Sequence, residues 1–116
     1  MLKYYVRHTA EESFQQLPGY SEQDGLWVHG EQPQIADIDA LSRQFGLDRN
    51  TLRDVTDKEE LPRLETKDDQ LYVFLRSVLR TKHGEIDYGP LLAVLSPRAF
   101  LTLSLTNAIS DQKIAT

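Results

Sequence analysis

The sequence has no cysteine, so neither disulfides nor thiolate metal sites are open to it. That accords with the cytosol without requiring it. Long apolar runs are missing too. Residues 91–95 form the longest unbroken aliphatic stretch, against the roughly 20 apolar residues that a bilayer-spanning helix needs. Residues 1–7 lack the apolar stretch and small-residue cleavage site of a signal peptide. Positive charge is scarce, with 13 Lys and Arg against 18 Asp and Glu and a formal net charge of −5. This argues against nucleic acid as the main partner, because phosphate binding needs a basic surface. The acidity is compatible with cation binding, although solubility alone accounts for it.

The chain has 116 residues, enough for one domain and too few for two. No internal repeat or low-complexity segment interrupts it. Residues 2–7 are aromatic and β-branched enough for a first strand, and residues 26–29 read as a second, closed by Gly30. Pro18-Gly19 and Asp24-Gly25 are turn signals that bracket a polar connection. Pro33 suits the first turn of a helix, along which Ile35, Ile38, Leu41 and Phe45 share one face and Gly46 marks the end. Asp48 caps a second, shorter helix, with Leu47 placed to staple against Leu52.

Strands follow. A short one is expected at residues 64–66, then a polar turn at Asp68 and Asp69 whose side chains bond nearby amides. Residues 71–80 alternate with both faces largely apolar, the pattern of a central strand covered on two sides. Residues 82–85 form a hairpin loop, residues 86–95 return with a kink expected at Gly89-Pro90, and residues 100–105 alternate again. The order predicts an α+β fold, a mixed and mostly antiparallel sheet with the helices packed on one face. The apolar residues of the other face lack a cover within these 116 residues, so the chain is expected to continue past Thr116.

Residues 27–102, about two thirds of the chain, resemble the N-terminal domain of the CorA family of divalent-cation transporters, which includes the ZntB zinc transporters. The matches come in order: Leu26-Trp27-Val28-His29, the proline at Pro33, Phe45-Gly46-Leu47-Asp48, and Thr51-Leu52-Arg53-Asp54-Val55. Leu61-Pro62-Arg63-Leu64-Glu65, Asp68-Asp69-Gln70-Leu71-Tyr72-Val73-Phe74-Leu75 and Phe100-Leu101-Thr102-Leu103 complete the pattern. No one of them is specific; their order and spacing carry the resemblance. Arg53 stands where the family has Glu, and Pro62-Arg63 inverts the family's Arg-Pro.

The resemblance implies one domain over residues 1–116, truncated before a stalk helix, a transmembrane pair and a Gly-Met-Asn signature, and unable to conduct ions alone. It implies a regulatory, metal-sensing role at the cytoplasmic face of the inner or plasma membrane, in a full-length pentamer that meets the membrane only through the missing helices. Asp54 corresponds to one half of a divalent-cation site between subunits, with Asp57 close by in an acidic spacer that includes Glu59 and Glu60. Mg²⁺ suits such a site, because it takes oxygen ligands, keeps several waters and needs only one or two carboxylates. It would be regulatory and not required for folding.

The bland reading of Asp54 is a solvated helix-end residue, and that of the spacer an exposed loop. His8, His29 and His83 show no metal-ligand spacing. His83 and Asp87 flank a hairpin loop too open to tune an acid–base pair. No nucleophile elbow or phosphate-binding loop is present, so an enzyme is not expected. Trp27 reads as core. The alternative to a transporter domain is a free-standing α+β interaction module that dimerises or binds a partner through the uncovered sheet face.

Overall fold

The structure, a computed structural model, describes residues 2–80 and 83–105. Seven strands form one sheet: β1 (Leu2–Val6), β2 (Gln15–Leu17), β3 (Leu26–Glu31), β4 (Arg63–Lys67), β5 (Gln70–Arg80), β6 (Ile86–Leu95) and β7 (Phe100–Ser104). Between β3 and β4 lie α1 (Ile35–Phe45), α2 (Arg49–Arg53) and a single 3₁₀ turn, Asp54–Thr56. The strand order is β2-β1-β3-β7-β6-β5-β4. All neighbours are antiparallel except β3 and β7, which run parallel with Val28 opposite Leu101. This is the α+β architecture expected from the sequence.

The register divides the strand residues between two faces. On one lie Val28, Leu101, Leu103, Leu92, Val94, Tyr72 and Phe74, all essentially inaccessible to water. They join Ile38, Leu41 and Phe45 of α1, Leu52 of α2 and Val55 of the 3₁₀ turn in one core cluster. On the opposite face Leu64, Leu75, Leu95 and Phe100 remain 41–63% exposed, beside the half-buried Leu71, Val73 and Leu91. The helices therefore cover one face only.

The helix ends follow the local chemistry. Gly46 takes φ 64° and ψ 36° at the C-terminus of α1, a left-handed conformation that costs glycine little. Asp48 caps α2 by accepting the Thr51 N–H, and Leu47 and Leu52 are both in the core. Pro33 differs from expectation. It precedes the Gln34 cap instead of entering the first turn, where the Gln34 N–H is bonded by Asp37. The strand at residues 26–29 is not closed by Gly30 but runs on through Glu31.

Two further strand expectations are corrected, and one strand was not anticipated. β2 precedes the Pro18-Gly19 turn, outside the bracketed polar connection, and its residues Gln15, Gln16 and Leu17 pair with β1 through backbone groups that apolar alternation does not reveal. β5 is not covered on two sides: it lies second from the edge, and Leu75 is open to water. Gly89 and Pro90 do not interrupt β6, since Ser77 pairs with Gly89 and Arg76 with Pro90 within an unbroken ladder. The tail after residue 105 lies outside the described residues.

Candidate functional site

The Asp54 region is built where α2, the 3₁₀ turn and the edge strand β4 meet. Asp54 ends α2 and opens the 3₁₀ turn, so it sits one step beyond the helix proper. Its side chain is 46% exposed. Arg63, the first residue of β4, reaches back to it: Nη2 donates to Asp54 Oδ2 at 2.7 Å. The same guanidinium donates through Nε to Glu65 at 2.8 Å and pairs with Glu60. It also lies over the Phe74 ring at 4.1 Å, its cross-strand neighbour. One cation thus gathers three carboxylates, and the flat guanidinium is suited to both tasks, a fork of donors and a stacking surface.

Asp57 is not directed at this cluster. It is exposed, and its Oδ1 accepts the Glu59 N–H at 3.0 Å, shaping the turn after the 3₁₀ segment. That turn is tied to the sheet by Arg76, whose Nη1 donates to the Lys58 and Glu60 carbonyls at 2.8 and 3.1 Å. Among the described residues no group of three or more His, Cys, Asp or Glu side chains is arranged to hold a metal ion. The chain by itself offers Asp54 as a single, half-open carboxylate already shared with Arg63. Such a residue can supply one oxygen to a hydrated divalent cation, whose other ligands must come from outside this cluster.

A second network secures α2 against the sheet. Asp48 Oδ2 accepts from the Thr51 N–H at 3.0 Å, from the Thr51 hydroxyl, and from Lys67 Nζ at 2.9 Å. The Asp48 N–H donates to the Tyr72 hydroxyl, Tyr72 donates to Gln70, and Gln70 Nε2 donates to the Gly46 carbonyl. These bonds fix the α1–α2 junction, and with it the position of Asp54 at the far end of α2.

On the other face, Trp27 is half-buried rather than central core. It is flanked by Tyr5, Phe14 and Phe100, and its Nε1 donates to Thr102 Oγ1 at 2.9 Å. His29 is 2% exposed and shares that hydroxyl at 2.7 Å. His83 is exposed at the β5–β6 hairpin; the Asp87 side chain lies outside the described residues. Sequence reading missed Arg63 as the partner of Asp54. Its only trace is a basic residue opening an edge strand, and the pairing depends on how α2 approaches β4.

The comparisons decide the family. Residues 22–115 match the model of the CorA-like Mg²⁺ transporter protein family. The chain belongs to this family. Comparison with curated proteins yields no match. Among solved structures, the chain is similar to the complete CorA magnesium transporter of Methanocaldococcus jannaschii, with TM-score 0.73 and 18% identity over 94% of this chain and 33% of that one. The cytoplasmic domain of ZntB from Vibrio parahaemolyticus gives TM-score 0.68 and 18% identity, covering 90% of this chain and 43% of its own. Full-length CmaX gives TM-score 0.71 and 19% identity, covering 99% and 38%.

At these identities the likeness establishes the fold, which is also that of the soluble domain of the Methanocaldococcus CorA. The CorA-family chain spans between 33% and 43% of the length of these solved relatives. None of its described helices is long and apolar enough to cross a membrane.

Proposed function

We propose that this CorA-family chain is the regulatory, cation-sensing part of a divalent-cation transporter and not a transport-competent unit or an enzyme. The observation that carries the reading is the family match over residues 22–115, and the fold shared with a CorA soluble domain supports it. In this reading the chain works on the cytoplasmic side of the inner or plasma membrane, as one subunit of a pentamer whose spanning helices lie in sequence beyond residue 116.

Asp54 is the residue through which sensing acts, and Asp57 belongs to the same acidic margin. A bound divalent cation such as Mg²⁺ supplies neutralisation of carboxylates that face each other across a subunit boundary. The chain's own contribution is positional. The Asp48–Lys67–Tyr72 network fixes α2, and Arg63 holds the Asp54 carboxylate in place while still leaving the side chain half exposed. Loss of the cation leaves like charges opposed and loosens the contact.

The test uses the protein extended to the length of its relatives. Asp54→Asn is expected to fold normally and to lose Mg²⁺-dependent subunit association in analytical ultracentrifugation. Unchanged association across a Mg²⁺ titration would remove Asp54 from the mechanism. The exposed apolar sheet face favours one second reading, a separate interaction module that binds a partner or a second copy there. A stop codon directly after Thr116 in the source gene would support that module and end the transporter reading.

A further inference from the structure

Asp54 already has a cation, and that cation belongs to the chain. Arg63 engages Asp54 Oδ2 through Nη2 at 2.7 Å. Its other donors go to Glu65, through Nε at 2.8 Å, and to Glu60. The three carboxylates are not equally open. Asp54 is 46% exposed, against 32% for Glu65 and 17% for Glu60. A cation arriving from solvent therefore meets the Asp54 end of the network first.

The remaining contacts anchor the arginine independently of Asp54. Glu60 and Glu65 lie three and two residues from Arg63 in sequence. The guanidinium also lies over the ring of Phe74 at 4.1 Å, and Phe74 is a buried residue paired with Arg63 across the β4–β5 ladder. Asp54 stands apart, nine residues earlier on the 3₁₀ turn. Arg63 can release it and still keep two carboxylates and a ring, so the guanidinium is not left without a partner. The release costs one charge-assisted hydrogen bond at a half-exposed site, where solvent screens the pair.

We propose that Arg63 is a built-in competitor for the Asp54 carboxylate and sets the concentration of divalent cation to which the chain responds. This rests on the proposed cation-sensing role of Asp54. Arg63 yields Asp54 Oδ2 to a hydrated divalent cation and takes it back when the cation leaves. The same bond that positions Asp54 thus opposes loading, and the two effects differ in sign. An arginine that only positions Asp54 would, on removal, weaken the response to cation; a competitor, on removal, strengthens it.

The test follows Mg²⁺-dependent subunit association by analytical ultracentrifugation, in the protein extended to the length of its relatives. Arg63→Gln is expected to lower the Mg²⁺ midpoint at least threefold with circular dichroism unchanged. Arg63→Lys keeps the charge without the fork and is expected to fall between that variant and the parent. Arg53 is exposed beside Asp54 at the end of α2. Arg53→Gln therefore removes the same charge without touching the pair, and is expected to shift the midpoint less than twofold. A midpoint that rises or stays put in Arg63→Gln, or that falls as far in Arg53→Gln, overturns the proposal. The sensing role then still stands, provided Asp54→Asn abolishes the Mg²⁺ response. A response that persists in Asp54→Asn removes the sensing role and the competitor together. If Arg63→Gln does not fold, Arg63→Lys decides, and a midpoint no lower than the parent's overturns the proposal.

Discussion

Asp48 shows how one partly exposed side chain can organise a junction. Its Oδ2 receives the Thr51 hydroxyl, the Lys67 ammonium and the Thr51 N–H, and these bonds, led by the Thr51 hydroxyl, hold its pKa at about 2. Because the folded-state value lies below the unfolded one, the stabilisation is complete above about pH 4 and is lost as the pH falls towards 2. Solvent screening of a carboxylate 36% exposed limits the effect to about 1 kcal/mol. Asp48→Asn keeps a capping side chain but removes the charge. In urea unfolding it is expected to be less stable than the parent by about 1 kcal/mol at pH 6, with the gap closing towards pH 2. A gap that does not vary with pH would show that the cap, not the charge, carries the contribution. The capping role of Asp48 was legible in the sequence, because a helix start is a local event. The Arg63 cluster was not: Glu60 and Glu65 lie three and two residues from Arg63 in sequence, but Asp54 is brought to it only by the way the 3₁₀ turn folds back on β4.

Among the elements, two glycines separate conformational preference from steric necessity. Gly46 ends α1 at φ 64° with open space where a Cβ would stand. Gly46→Ala is therefore expected to cost about 1 kcal/mol through backbone conformation alone. Gly25 has φ 73°, and a Cβ there would lie 1.8 Å from the Arg7 carbonyl oxygen. Gly25→Ala must push β1 and β3 apart at their Val6–Leu26 end and is expected to cost more than about 3 kcal/mol. Denaturant midpoints of the two variants check the ranking, and equal losses would contradict the close approach. Gly46 was readable as a helix stop after the 3.6-residue periodicity of Ile38, Leu41 and Phe45. Gly25 was readable only as a turn. The same limit applies to the strands. The β5 and β6 spans follow from alternation and a hairpin, whereas β2 and the parallel β3–β7 pairing rest on contacts between distant segments.

For the whole molecule, the unequal faces of the sheet are the dominant feature. One face is sealed by α1, α2 and the 3₁₀ turn, while Leu64, Leu75, Leu95 and Phe100 stand open on the other. Contiguous apolar surface of this kind marks an interface, and the solved relatives that share the fold are more than twice as long as this chain. The face is therefore expected to behave differently by context. In the 116-residue chain, Leu75→Glu with Leu95→Lys changes only solvent-exposed positions. It should lower concentration-dependent self-association in sedimentation velocity while leaving unfolding free energy within about 0.5 kcal/mol per site. In a chain extended to the length of the relatives, the same pair should be destabilising. Each leucine there loses about 1.5–3 kcal/mol of burial, and each new charge must be desolvated as well. Val78→Thr with Ile86→Thr provides the control, because both side chains are exposed on the β5–β6 hairpin. If the leucine pair is neutral in the long chain and still suppresses association of the short one, the face serves a partner or a second copy. If it is destabilising only in the long chain, later residues of the same protein complete the fold.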